Sequence, residues 1–111
     1  MNDIENLLNL DGEIFPYENG HWIKFEAKKV KELKEIPHGV KYSLTLHNKH
    51  NERVIGYDNA HSVKTNKKYG AKKVTYDHIH KKENVIYYEF ESASQLITDF
   101  WFSVEQYMDN I

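Results

Sequence analysis

Cysteine is absent from the 111 residues, which excludes disulfides, thiolate metal centres and cysteine nucleophiles, so any metal would have to be held by His, Asp or Glu. Long apolar runs are missing as well. No stretch approaches the roughly 20 residues of a membrane span, and Met1-Asn2-Asp3-Ile4-Glu5 has neither the basic start nor the apolar core of a secretory signal. The expectation is a cytoplasmic chain without a membrane partner. Proline occurs twice and glycine five times, and no linker, low-complexity tract or solenoid period divides the sequence, which therefore reads as one domain over residues 1–111. An excess of charge of one sign is lacking too. The net charge of −2 argues against a generic nucleic-acid coat protein.

What the chain does have is bulk for a core and an uneven charge distribution. Aromatic residues make up 14% of it, enough to pack one compact domain. Lys64, Lys67, Lys68, Lys72, Lys73, Lys81 and Lys82 cluster with Asp77 as the acid among them, whereas residues 83–111 are acidic or neutral. Such a basic segment is a footprint for a phosphate backbone, with affinity falling steeply in salt. The bland alternative is a lysine run that keeps a loop solvated.

Periodicity predicts an α+β fold, a mainly antiparallel sheet packed against a C-terminal amphipathic helix. Residues 13–17 and 21–27 flank Asn19-Gly20, a pair suited to a type I′ turn, and Pro16 predicts that the first of these strands is at an edge. Val40, Tyr42, Leu44 and Leu46 alternate with polar residues, as in a strand with one buried face. A polar turn over 47–52 leads to a strand over 53–57, and further strands are expected over 74–80 and 84–90. Ser92 and Gln95 have capping-box spacing. Leu96, Phe100, Val104 and Tyr107 then recur at helical period, so a helix from 92 to about 110 covers the sheet. Residues 27–35 are compatible with a strand extension or a short helix.

The chemistry-bearing feature is a repeated phrase, Tyr57-Asp58-Asn59-Ala60-His61 and Tyr76-Asp77-His78-Ile79-His80. In an extended strand His78 and His80 project from one face, their bases about 7 Å apart, while Asp77 projects from the other. Asp58 falls at a strand end, where rigid neighbours expose a functional side chain. Three readings stand. His78 and His80, with His61, serve as general base and acid in RNA cleavage while Arg53 or a lysine stabilises the crowded phosphate. Alternatively the imidazoles and Asp58 or Asp77 hold a divalent metal, His-x-His being a common source of two nitrogens. In the third they are structural, with the aspartates as turn formers. His21, His38, His47 and His50 are expected to be solvated.

The blocks Val40-Lys41-Tyr42-Ser43-Leu44, Tyr57-Asp58-Asn59-Ala60-His61, Tyr76-Asp77-His78-Ile79-His80 and Leu96-Ile97-Thr98-Asp99-Phe100-Trp101 together resemble the TumE family of small prokaryotic toxins. The resemblance covers about two thirds of the chain, in the order in which the family carries its motifs. It implies a toxin acting on RNA and translation, on or off the ribosome, and neutralised by a helix-turn-helix antitoxin encoded beside it. It singles out Asp58, Asn59, Asp77, His78 and His80 as site residues, and Asp99 and Trp101 as the packing signature of the helix. One departure is Gly56, where many members carry arginine, which leaves phosphate binding to Arg53 and the lysines.

The reading that follows is a metal-independent endoribonuclease needing no cofactor. Its catalytic candidates are His78, His80, Asp58, Asp77 and His61, and its RNA-binding candidates are Arg53, Asn59, Lys64, Lys67, Lys68, Lys72 and Lys73. The competing class is a non-catalytic small-ligand or protein-interaction module. Oligomeric state is not encoded in any pattern of the sequence.

Overall fold

Among the described residues six strands pair in sequence order, every neighbour antiparallel, and one face of the sheet is closed by the C-terminal helix. The structure, a computed structural model, describes residues 3–32, 36–59, 77–81 and 84–111. In chain order the elements are α1 (Ile4–Leu8), β1 (Ile14–Pro16), β2 (Trp22–Lys29), β3 (Val40–His47), β4 (Arg53–Asp58), β5 (His78–Lys81), β6 (Asn84–Tyr87) and α2 (Ala93–Asp109). This is the expected α+β arrangement. The expected strand residues 74–76, and Lys82 and Glu83 of the link, lie outside the described residues.

Sequence alternation builds the sheet directly. Val40, Tyr42, Leu44 and Leu46 are all 1% exposed or less, and they lie beside Ile23, Phe25 and Ala27 of β2 and Ile55 and Tyr57 of β4. This apolar face meets Leu96, Phe100 and Val104 of α2. Phe100 packs edge-on against both Phe25 and Tyr57. Trp101 is half-buried at the rim, its ring tilted against Phe25 and edge-on to Phe15. Ser92 caps α2, its Oγ accepting from the Gln95 N–H at 3.0 Å. Gln95 does not return the bond but donates to Asp99 Oδ1, so half of the capping box is realised. Asp99 Oδ2 in turn accepts from the Tyr88 hydroxyl, which ties the helix to the segment after β6.

Several expectations are corrected. Between β1 and β2, Gly20 takes a left-handed φ of +90° while Asn19 does not, so the connection is not a two-residue type I′ turn. Tyr17 N–H bonds His21 C=O, and Asn19 Oδ1 accepts from the His21 N–H instead. Gly20 is required for space too, since a β-carbon there would lie 2.7 Å from Lys49 Cβ. Residues 27–29 extend β2. The short helix α1 is not among the expected elements; it carries Ile4, Leu7 and Leu8 at helical spacing, and Leu7 is fully buried. β6 stops at Tyr87, short of the expected residue 90; the Tyr88 N–H still bonds the Asp77 carbonyl, and its hydroxyl donates to Asp99. No described helix is long and apolar enough to cross a membrane.

Candidate functional site

The face of the sheet opposite α2 carries the side chains that alternate with the core. Its rows follow from the strand register. Trp22, His47 and Arg53 form one row, Lys24, Thr45, Gly56 and His80 the next, and Glu26, Ser43, Asp58 and His78 a third. A bulge between β3 and β4 decides the place of Arg53. His47 pairs with Arg53 while Leu46 pairs with Ile55, so Val54 is an extra residue and Arg53 shares a face with Gly56, from which plain alternation would separate it.

Asp58 is the centre of this face. It is 4% exposed and each carboxylate oxygen meets an imidazole: His78 Nε2 lies 2.8 Å from Oδ1, and His80 Nε2 lies 3.4 Å from Oδ2. The Arg53 guanidinium approaches Oδ2 to 3.7 Å. The imidazole rings themselves are edge to face with centroids 4.5 Å apart, closer than their backbone positions alone require. His78 is 1% exposed, whereas the side chains of His80 and Arg53 are 15% and 42% exposed. Solvent therefore reaches the cluster through His80 and Arg53. The ligand atoms of Asp58, His78 and His80 all lie within 4.8 Å of one another, a separation that one metal ion could span.

Asp77 belongs to a different network. Its Oδ1 accepts from the buried Tyr42 hydroxyl at 2.7 Å and faces His38 Nε2 at 3.2 Å. His38 Nδ1 accepts from the Val40 N–H, which leaves the ring proton on Nε2 to donate to Asp77. Burial, with Asp77 beside it, pushes the Tyr42 hydroxyl far above the usual tyrosine range. This network fixes the start of β5, and with it the register that sets His78 opposite Asp58.

Asn59 is wholly buried. Its amide extends the sheet ladder past the end of β4, accepting from the Tyr42 N–H at 2.8 Å and donating to the Val40 carbonyl at 2.7 Å. That position gives it no surface on which to touch RNA. His61, Lys64, Lys67, Lys68, Lys72 and Lys73 lie outside the described residues.

Three histidines expected to be solvated are engaged. His21 shares a hydrogen bond with the Tyr107 hydroxyl at 3.3 Å, His38 is held by Asp77, and His47 stacks on Trp22 with ring centroids 4.0 Å apart. His50 is exposed, as expected. Burial, then Arg53 and Lys24, hold the His47 imidazole below the usual histidine range. The links of His38 to Asp77 and of His47 to Trp22 join residues far apart in sequence, and alternation in β2 and β3 gave the one usable sign, that Trp22 and His47 share the open face.

The family model described as Toxin TumE matches residues 5–108. The chain belongs to the TumE toxin family. The match runs from α1 to the end of α2 and takes in both the Asp58–His78–His80 cluster and the Tyr42–Asp77–His38 network. Membership in the TumE family supports a toxin role and an antitoxin as partner. Comparison with curated proteins and with solved structures finds no match.

Proposed function

We propose that this TumE-family toxin is a metal-independent endoribonuclease that inhibits translation by cutting RNA and is silenced by a cognate helix-turn-helix antitoxin. The observation that carries the reading is the Asp58 carboxylate held between two imidazoles with a guanidinium on its open side. His80, the more accessible imidazole, takes the proton from a ribose 2′-hydroxyl. The 2′-oxygen attacks phosphorus, the bond to the 5′-oxygen breaks, and a 2′,3′-cyclic phosphate remains. Arg53 neutralises the charge that builds on the phosphoryl oxygens. Asp58 orients both rings and stabilises the imidazolium once it forms. His78 anchors Asp58, and the proton delivered to the leaving 5′-oxygen comes from a second imidazole, the role assigned to His61. Asp77 acts by positioning β5 through Tyr42 and His38. Lys64, Lys67, Lys68, Lys72 and Lys73 provide the electrostatic footprint for RNA, on or off the ribosome.

A second reading has its own observation, the convergence of Asp58, His78 and His80 within 4.8 Å. They would hold a divalent ion and leave positions open for water and phosphate. Arg53 favours the first reading, because a guanidinium on Asp58 Oδ2 competes with a cation for the same oxygen.

Induction in a bacterial host with and without His80→Ala tests the proposal, together with analysis of RNA ends. Growth arrest that needs His80, survives chelation and yields cyclic phosphate ends is the expected result. Cleavage giving 3′-hydroxyl ends only when Mn²⁺ or Zn²⁺ is supplied would overturn it in favour of the metal. No arrest at all would favour a non-catalytic binding module. Replacing Lys67, Lys68, Lys72 and Lys73 by glutamine should flatten the salt dependence of RNA binding, and an unchanged slope would place the footprint elsewhere.

A further inference from the structure

The open face of the sheet has a row in which the proposed chemistry uses Arg53 but neither Trp22 nor His47. Trp22 of β2 pairs with His47 of β3, and His47 pairs with Arg53 of β4. The indole and imidazole planes are 11° from parallel at 4.0 Å. Each ring is pinned by a polar contact, Trp22 Nε1 donating to Asn51 Oδ1 at 3.1 Å and His47 Nε2 meeting Thr45 Oγ1 at 2.9 Å. Both rings are half-buried rather than enclosed. Lys24, 39% exposed, stands in the next row. Arg53 then bridges the two functions: it is the register neighbour of His47, and its guanidinium ends 3.7 Å from Asp58 Oδ2.

We propose that Trp22 and His47 form a base-stacking platform for single-stranded RNA, seating the nucleotide next to the one that Arg53 and His80 process. This rests on the endoribonuclease reading and deepens it. Stacking is the interaction available to every base, because each has a π-face, and a preformed pair of rings loses little conformational freedom when a third ring is added. An uncharged imidazole in the pair leaves the adjacent positive charge to Arg53 and Lys24, where a phosphate rather than a base would lie. The stack and Asp58 are two rows of the sheet apart, about 13 Å along the strands, and the Arg53 side chain, which starts in the row of the stack and ends at Asp58, spans that interval. Lys24, in the row between them, and the Arg53 guanidinium, which reaches from the row of the stack towards Asp58, supply positive charge between the stack and the Asp58 cluster. A double helix would not use the platform, since its bases are already stacked on one another.

The test uses the full chain carrying His80→Ala, so that RNA is bound but not cut, and reads fluorescence anisotropy of a labelled single-stranded oligoribonucleotide. Adding Trp22→Ala should weaken binding about tenfold, the scale of one lost base stack, while Trp22→Phe should stay within about threefold. The affinity of double-stranded RNA should not change. Trp22→Ala with unchanged single-strand affinity would overturn the platform and leave the endoribonuclease reading standing. An unsubstituted chain that neither binds nor cuts RNA would instead remove that reading itself. If Trp22→Ala does not fold, Trp101→Phe leaves Trp22 as the sole indole. Its emission should then be quenched by single-stranded RNA. Binding by anisotropy without quenching, or quenching by the antitoxin and not by RNA, would overturn the platform.

Discussion

The side chain of Arg53 lies across Gly56. A β-carbon at Gly56 would come within 3.1 Å of Arg53 Cδ and 3.4 Å of its Nε, and it is from this position that the guanidinium reaches Asp58. The missing side chain at Gly56 and the bulge that brings Arg53 to the same face are thus two halves of one arrangement.

Gly56→Ala therefore tests positioning apart from stability. The new methyl group displaces the guanidinium, and RNA cleavage should fall about 10- to 100-fold, the usual consequence of an ångström-scale misplacement. Thermal unfolding should shift little, by about 1 kcal/mol or less, because removing glycine from a strand favours the fold while the contact opposes it. An alanine variant of full activity would show that Arg53 need not lie where it does.

His78 and His80 should separate cleanly on substitution. His80→Ala removes the more exposed of the two rings, so activity should fall by about 10²–10⁴ with stability lowered by only about 1–2 kcal/mol. His78→Ala takes away the 2.8 Å partner of a carboxylate that is 4% exposed, and should cost about 3–5 kcal/mol of stability. Urea denaturation of both variants beside cleavage assays distinguishes these roles. Equal destabilisation by the two substitutions would contradict the assignment.

Tyr42 predicts an alkaline weakness. Burial and Asp77 hold its hydroxyl in the neutral form, so its contribution is complete below the ordinary tyrosine value of about 10. It is lost as pH rises beyond that value, because the unfolded chain then releases a proton that the folded chain retains. Tyr42→Phe should lower stability at neutral pH by about 1–3 kcal/mol, Asp77 losing a buried donor, and should make the decline above pH 10 less steep. Unfolding measured across that range checks both signs, and a variant that declines as steeply as the native chain would refute the account.

The helix should act as a cover, with unequal contributions from adjacent aromatics. Phe100 is fully buried, and Phe100→Ala should cost about 3–5 kcal/mol. Trp101, half-buried at the rim, should cost less, about 2–3 kcal/mol, its ring having less area to lose. A Trp101→Ala variant that is stable but inactive would move this residue into the site.

The elements that follow from local physics were readable from the residues alone. Alternation at Val40, Tyr42, Leu44 and Leu46 dictates a strand buried on one side, and the period of Leu96, Phe100, Val104 and Tyr107 dictates a helix that covers it. Pro16 dictates an edge, and Ser92 a helix start. Alternation likewise puts His78 and His80 on one side of a strand, because side chains two apart in extended backbone must share a face. Only the tertiary structure decided which aspartate they meet. Asp58 and Asp77 occur in the same phrase, yet register sets Asp58 opposite His78, whereas Asp77 turns to Tyr42 and His38. The burial of Asn59, the stack of His47 on Trp22 and the bulge that brings Arg53 over Gly56 have the same origin. Each depends on which strands lie side by side and in what register, and those are settled by the whole core packing at once rather than by any one segment.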